Sequence, residues 1–200
     1  GGGTVITVSA RTEYANAVAI QDDGKIVLIG GQEGAGAKMQ VVRLLPDGSL
    51  DPDFGTNGIV TLAPSVSSQA EAVVIQDDGK IVVGGSQLVS GNDSDFVVLR
   101  LTSAGSLDPS FGTNGIWTTT LFPGVNSEQV WDLALQSDGK IVAAGHAANG
   151  GLYSMAAVRL DEFGLPDPTF GTNGAAVIPV RDAAYAYGVA IQPGRGILLA

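Results

Sequence analysis

The segment Ile20-Gln21-Asp22-Asp23-Gly24-Lys25-Ile26-Val27 recurs as Ile75-Gln76-Asp77-Asp78-Gly79-Lys80-Ile81-Val82 and as Leu135-Gln136-Ser137-Asp138-Gly139-Lys140-Ile141-Val142. A weaker copy runs Ile191-Gln192-Pro193-Gly194-Arg195-Gly196-Ile197-Leu198. A second block follows the first in each unit: Leu50-Asp51-Pro52-Asp53-Phe54-Gly55-Thr56-Asn57-Gly58, then Leu107-Asp108-Pro109-Ser110-Phe111-Gly112-Thr113-Asn114-Gly115. Its third copy, from Leu165 through Asp167 and Phe170 to Gly174, carries one inserted residue. A period of 55–60 residues restricts the chain to architectures that stack one supersecondary unit on the next.

Each unit reads as four short strands. A small, apolar first strand (Ala17-Val18-Ala19-Ile20 in the first copy) enters an Asp-Gly turn and returns as Lys25-Ile26-Val27-Leu28-Ile29. A third strand ends in Val41-Val42-Arg43-Leu44, and the Phe-Gly-Thr-Asn-Gly block turns it into a fourth, Gly58-Ile59-Val60-Thr61-Leu62. No segment sustains a 3.6-residue period over a helical length. Four antiparallel strands at this period make an all-β chain and a β-propeller blade, since the coils of a regular β-helix are much shorter.

About three and a half blades are expected. Residues 1–8 read as the outer strand of a preceding or shared blade, 14–63 as blade 1, 69–122 as blade 2, 129–180 as blade 3, and 185–200 as the first two strands of blade 4, all in one propeller domain. This inventory reads as a piece of a longer propeller, with a ring completed by self-association as the alternative; open strand edges invite pairing.

The pairing of Gln-x-Asp-Gly-Lys-Ile-Val with Leu-Asp-x-x-Phe-Gly-x-x-Gly resembles the delta-60 repeat family of bacterial β-propellers, over essentially the whole chain. The resemblance implies the propeller fold and a surface-associated or secreted bacterial setting. It implies no reaction, because the repeat has no assigned activity. The last copy departs from the pattern, with Pro193-Gly194-Arg195-Gly196 in place of the Asp-Gly-Lys turn.

Composition narrows the function. With 10 basic and 20 acidic residues the chain carries a formal charge of −10, which repels nucleic acid and anionic lipid. No Cys and a single His exclude disulfides, thiol nucleophiles and zinc or haem sites of the usual ligand sets. No apolar run approaches the length of a membrane helix. No cofactor, metal or catalytic residue is expected.

The copies differ in length on one face only. Arg43 to Asp51, Arg100 to Asp108 and Arg159 to Asp167 are each 8 apart, whereas Lys25 to Arg43, Lys80 to Arg100 and Lys140 to Arg159 are 18, 20 and 19. The variable spans, 31–37, 86–94 and 146–153 with the interblade spans 63–71, 121–131 and 179–187, read as loops that place specificity on a rigid scaffold. Asn16, Glu71, Trp131 and Tyr187 occupy equivalent positions at the mouth of the central channel, where the aromatics stack on a ligand or seal gaps between blades. Tyr153 and the lone His146 belong to the same variable face, His146 reading as a surface-loop residue without a sequence partner. Asp132, where other copies have Ala17, Ala72 and Gly188, reads as a channel lining or as an acid or base with Glu71 and Glu128 nearby. Asp93 and Asp95, with Asn92, offer calcium-like spacing without a complete loop, so a solvated turn is the expected state.

The recurrent residues have structural roles in this reading. Gly24, Gly79 and Gly139 form the turns. Arg43, Arg100 and Arg159 need partners on strands, with Asp51, Asp108 and Asp167 or nearby turn carbonyls as candidates. Phe54, Phe111 and Phe170 plug the space between blades. The functional expectation is a non-catalytic scaffold or binding module, extracellular, taking a protein or glycan on its variable face, with further blades supplied by the same parent chain or by self-association. A lectin-like propeller or a polysaccharide-acting enzyme are the alternatives.

Overall fold

A computed structural model describes residues 13–32, 36–91, 93–122, 127–179, 183–192, 194 and 196–200. The strand expected within residues 1–8, and Pro193 and Arg195 of the last turn, lie outside the described residues. Three four-stranded antiparallel sheets follow one another: β1 (Glu13–Ile20), β2 (Ile26–Gln32), β3 (Met39–Leu44), β4 (Ile59–Leu62); β5 (Ser68–Ile75), β6 (Ile81–Ser90), β7 (Asp93–Leu101), β8 (Ile116–Thr119); and β9 (Glu128–Leu135), β10 (Ile141–Asn149), β11 (Leu152–Leu160), β12 (Ala175–Ile178). A hairpin of β13 (Val189–Gln192) and β14 (Gly196–Leu199) comes last. Strand order equals chain order in every sheet. This is an open, incomplete propeller.

Each sheet packs on the next through its innermost strand: β5 lies against β1 to β3, β9 against β5 to β7, and β13 against β9 and β10. The second sheet is therefore covered on both faces. Ile81, Val83, Val97 and Leu99 point into the core shared with the first sheet. Val82, Phe96 and Val98 point into the core shared with the third. Two-sided burial is why these strands are continuous apolar runs instead of alternating ones.

A bulge interrupts the innermost pair of every full sheet, at Asn16, Glu71 and Trp131, each skipped in the register with the second strand. The partner opposite is always glycine. A Cβ on Gly30, Gly85 or Gly145 would overlap the carbonyl oxygen of Tyr14, Gln69 or Gln129 respectively. The bulge thus requires close backbone approach, and only glycine permits it.

Two of the spans expected as loops are strand. Residues 86–90 with 93–94, and 146–149 with 152–153, extend the second and third strands of their sheets into long hairpins, with a tight Gly150-Gly151 turn in the second. Backbone pairing lengthens the hairpin as residues are added, so length variation produced longer strands and not looser loops. Residues 33–35 of the corresponding span in the first sheet lie outside the described residues.

Candidate functional site

The fixed face is built by the recurrent residues. Gly24, Gly79 and Gly139 close the first-to-second-strand turns at φ 81°, 78° and 83°. Arg43, Arg100 and Arg159 each donate through Nε to Asp51, Asp108 and Asp167, at 2.8, 2.9 and 2.9 Å. Lys25, Lys80 and Lys140 approach the same carboxylates. Each guanidinium also lies over a ring, of Phe54, Phe111 or Phe170, at 4.4, 4.7 and 4.8 Å from the centroid. Burial pushes the Asp51 carboxyl up, but the Asp53 N–H and the Arg43 guanidinium outweigh it and hold Asp51 below its ordinary value.

The opposite face carries the bulges, and there the sheets differ. Asn16 Nδ2 donates to Glu71 Oε2 at 2.7 Å, and Gln129 Nε2 donates to Glu71 Oε1 at 2.8 Å. Glu71 thereby ties three successive sheets together, and its burial raises its carboxyl against the opposing Gln129 bond. Tyr14, Asn16, Gln32, Gln69 and Glu71 line an open cleft of ≈ 630 Å³ between the first two sheets.

At the third sheet the same row turns aromatic. Trp131 and Tyr187 meet at 5.6 Å between centroids, and Tyr187 stacks on Tyr185, also at 5.6 Å. Tyr153 and Tyr185 pack on His146 at 5.2 and 5.0 Å. Trp131 Nε1 donates to His146 Nδ1 at 2.9 Å, and Ser127 Oγ lies 3.4 Å from Nε2. The expectation for His146 is corrected here: it is a strand residue of β10, 3% exposed, at the centre of an aromatic cluster. Burial lowers its pKa to about 4. The sequence offered no partner because all of its neighbours come from other strands or from residues preceding β13. Tyr185, absent from the sequence-based set, is found by its equivalence to Gln129 and Tyr14 in the other copies.

Two carboxylates of this face, Asp132 and Glu128, hold backbone. Asp132 Oδ1 accepts the Leu133 N–H and Oδ2 accepts the Val189 N–H, both at 2.8 Å, so Asp132 anchors the last hairpin to the third sheet instead of lining open solvent. Glu128 is fully buried and receives the N–H groups of Leu121 and Phe122 at 2.8–2.9 Å. Burial raises its pKa to about 7, with Asp95 and Asp93 adding to the rise and the two N–H bonds opposing it. Asp95, expected in a solvated turn, is buried on β7 and accepts Thr120 Oγ1 at 2.9 Å. Asn92 lies outside the described residues. Among the described residues no group of three or more His, Asp or Glu is arranged to hold a metal ion.

The family profile described as "Domain of unknown function (DUF5122) beta-propeller" matches residues 21–54, 76–111 and 136–170, one match in each four-stranded sheet. The chain belongs to this family, the delta-60 repeat propellers. Each match opens at the glutamine before an Asp-Gly turn and closes on the phenylalanine under the arginine, so it takes in the recurrent residues of the fixed face together with the second-to-third-strand hairpin. The bulge residues and the aromatic cluster lie in or beside spans in which the repeats differ. No curated protein matches the chain.

Proposed function

We propose that this delta-60 propeller segment is a non-catalytic binding module whose ligand lies across the bulge face, and that the ligand class it fits is a neutral or cationic glycan. One observation carries the reading: an exposed tyrosine platform, Tyr187 at 63% exposure backed by Tyr185 and Trp131, stands in the same row as the amide and carboxylate groups of Asn16, Glu71 and Gln129. Aromatic faces accept the apolar face of a sugar ring, while amides and carboxylates exchange hydrogen bonds with hydroxyls. The formal charge of −10 disfavours an anionic glycan.

The absence of catalysis belongs to the same proposal. A glycosidase needs two carboxyl groups at a defined separation flanking a bound sugar, and Asp132 and Glu128 have their oxygens occupied by backbone N–H groups. The extracellular bacterial setting is also proposed, supported by the family resemblance.

Glycan-array screening of the 200-residue chain, followed by calorimetry, tests the reading. The expected result is retention of a neutral or amino sugar without cleavage, weakened at least tenfold by Tyr187→Ala, whose exposed ring can be removed without unfolding the chain. Failure to retain any glycan overturns it. So does release of reducing ends that Asp132→Asn abolishes.

A further inference from the structure

Asparagine followed by glycine occurs four times, as Asn57-Gly58, Asn114-Gly115, Asn149-Gly150 and Asn173-Gly174. This dipeptide is prone to lose its side-chain amide, because glycine has no side chain to hold its backbone nitrogen away from the asparagine Cγ. The Gly N–H gives its proton to water or hydroxide, the nitrogen bonds to Cγ, and the amide nitrogen leaves as ammonia. A five-membered succinimide results. Water then adds to one of its two carbonyl carbons and opens the ring, leaving aspartate or the β-linked isoaspartate. Water is the only co-reactant, and nothing is oxidised or reduced. By sequence the four pairs are alike; the fold separates them.

Three of the pairs are locked. Gly58, Gly115 and Gly174 are buried, and their N–H groups donate to the Phe54, Phe111 and Phe170 carbonyls at 2.8, 2.8 and 3.0 Å. Their asparagines stand at φ 51°, 53° and 53°, inside turns closed by the bridges of Thr56 to Ile59, Thr113 to Ile116 and Thr172 to Ala175. A nitrogen whose proton is held by a carbonyl out of reach of water is neither deprotonated nor free to swing onto Cγ. The fourth pair stands in the turn between β10 and β11. Asn149 and Gly150 are exposed, and among the described residues neither the Asn149 side chain nor the Gly150 N–H has a hydrogen-bond partner. Strand pairing ends at Asn149 opposite Leu152. Gly150 and Gly151 make the reversal at φ 59° and 86°, so no side chain in the turn resists the backbone rotation that ring closure needs.

We propose that Asn149 is a modification site, deamidated in the folded chain to aspartate or isoaspartate while Asn57, Asn114 and Asn173 are kept as amides. Its place gives the change a consequence. Asn149 borders a cavity of ≈ 420 Å³ together with Phe122, Leu152 and Tyr153, and Tyr153 packs on His146 in the aromatic cluster. Aspartate sets a negative charge on that rim. Isoaspartate lengthens the backbone at the last pair of the hairpin, next to the pair that Ala148 makes with Tyr153. The site rests on backbone chemistry and stands or falls separately from the glycan reading.

Prolonged incubation of the 200-residue chain at mildly alkaline pH, with circular dichroism showing the fold retained, followed by trypsin digestion and mass spectrometry, tests this. Cleavage after Lys140 and Arg159 releases residues 141–159, in which Asn149 is the one amide side chain. This fragment should exchange its amide for an acid at least tenfold faster than Asn57, Asn114 and Asn173, which react only after local opening. Isoaspartyl methyltransferase with a labelled methyl donor should mark the same fragment. In urea the four sites should convert at comparable rates. A rate at Asn149 in the folded chain that does not exceed the other three by that margin overturns the proposal. So does the same preference in urea, because the sequence and not the fold would then select the site.

Discussion

An indole N–H can only donate, so the His146 Nδ1 that receives Trp131 Nε1 at 2.9 Å must be unprotonated. The imidazole is therefore neutral, with its proton on Nε2 toward Ser127 Oγ, in keeping with a pKa lowered to about 4 by burial. Between pH 4 and 6.5 the unfolded chain binds a proton here that the folded chain refuses, so this residue makes stability rise with pH across that window. Glu128 works the other way. Its carboxyl titrates near 7 when folded against an ordinary 4.5, so the folded chain holds a proton the unfolded chain has lost, and stability falls as pH rises from 4.5 to 7. The two contributions oppose each other from 4.5 to 6.5. Urea midpoints measured across pH 4.5–7.5 should show Glu128→Gln gaining stability with rising pH through 6.5. His146→Gln should show a decline extending to about 7. Two variants that both follow the wild-type profile would mean that neither group titrates as its surroundings require.

Between elements, the arginine latch links one sheet to the next, and its three copies provide an internal control. Arg100 is buried, bonded to Asp108, and reaches the Glu162 carbonyl of the following sheet. Arg159 has the aspartate, but among the described residues no carbonyl of a following sheet meets it. Removing one partner from a buried pair leaves the other charge uncompensated, at a cost of about 3–5 kcal/mol. Thermal melts should place Arg100→Met far below wild type and Arg159→Met clearly above Arg100→Met; equal losses would mean that the interblade carbonyl adds nothing. This latch was legible because it is written identically in each copy: the constant spacing from arginine to aspartate reflects a turn whose geometry tolerates no change. The bulge face was legible only in part. Trp131 and Tyr187 stand out as large aromatics at a position that varies, but His146 acquires its neighbours through pairing across β9 and β10 and through residues 185 and 187, which no local pattern connects. The glycines opposite the bulges recur as Gly30, Gly85 and Gly145, yet their reason, a carbonyl from the neighbouring strand, exists only once the register is known.

At the scale of the molecule, burial is graded from the middle of the array outward. β6 and β7 are covered on both faces, and β10 is buried along nearly its whole length. At the outer faces, Val18 and Ile20 of β1 are 59% and 70% exposed, and Leu198 of β14 is 56% exposed. In an array whose units touch only their neighbours, stability is close to a sum of unit and interface contributions, and opening proceeds from the units with fewest interfaces. Among the described strands the last hairpin packs chiefly on β9 and β10, and it has no described outer strands of its own. Hydrogen exchange read by mass spectrometry should therefore find β13 and β14 exchanging first and β1 next, with β6, β7 and β10 slowest. Asp132→Asn should accelerate the β13 amides selectively, because the carboxylate that receives the Val189 N–H fastens this hairpin to the third sheet. Uniform protection across the fourteen described strands would instead mean that the sheets unfold as one cooperative block and that the interfaces between them outweigh the pairing within each.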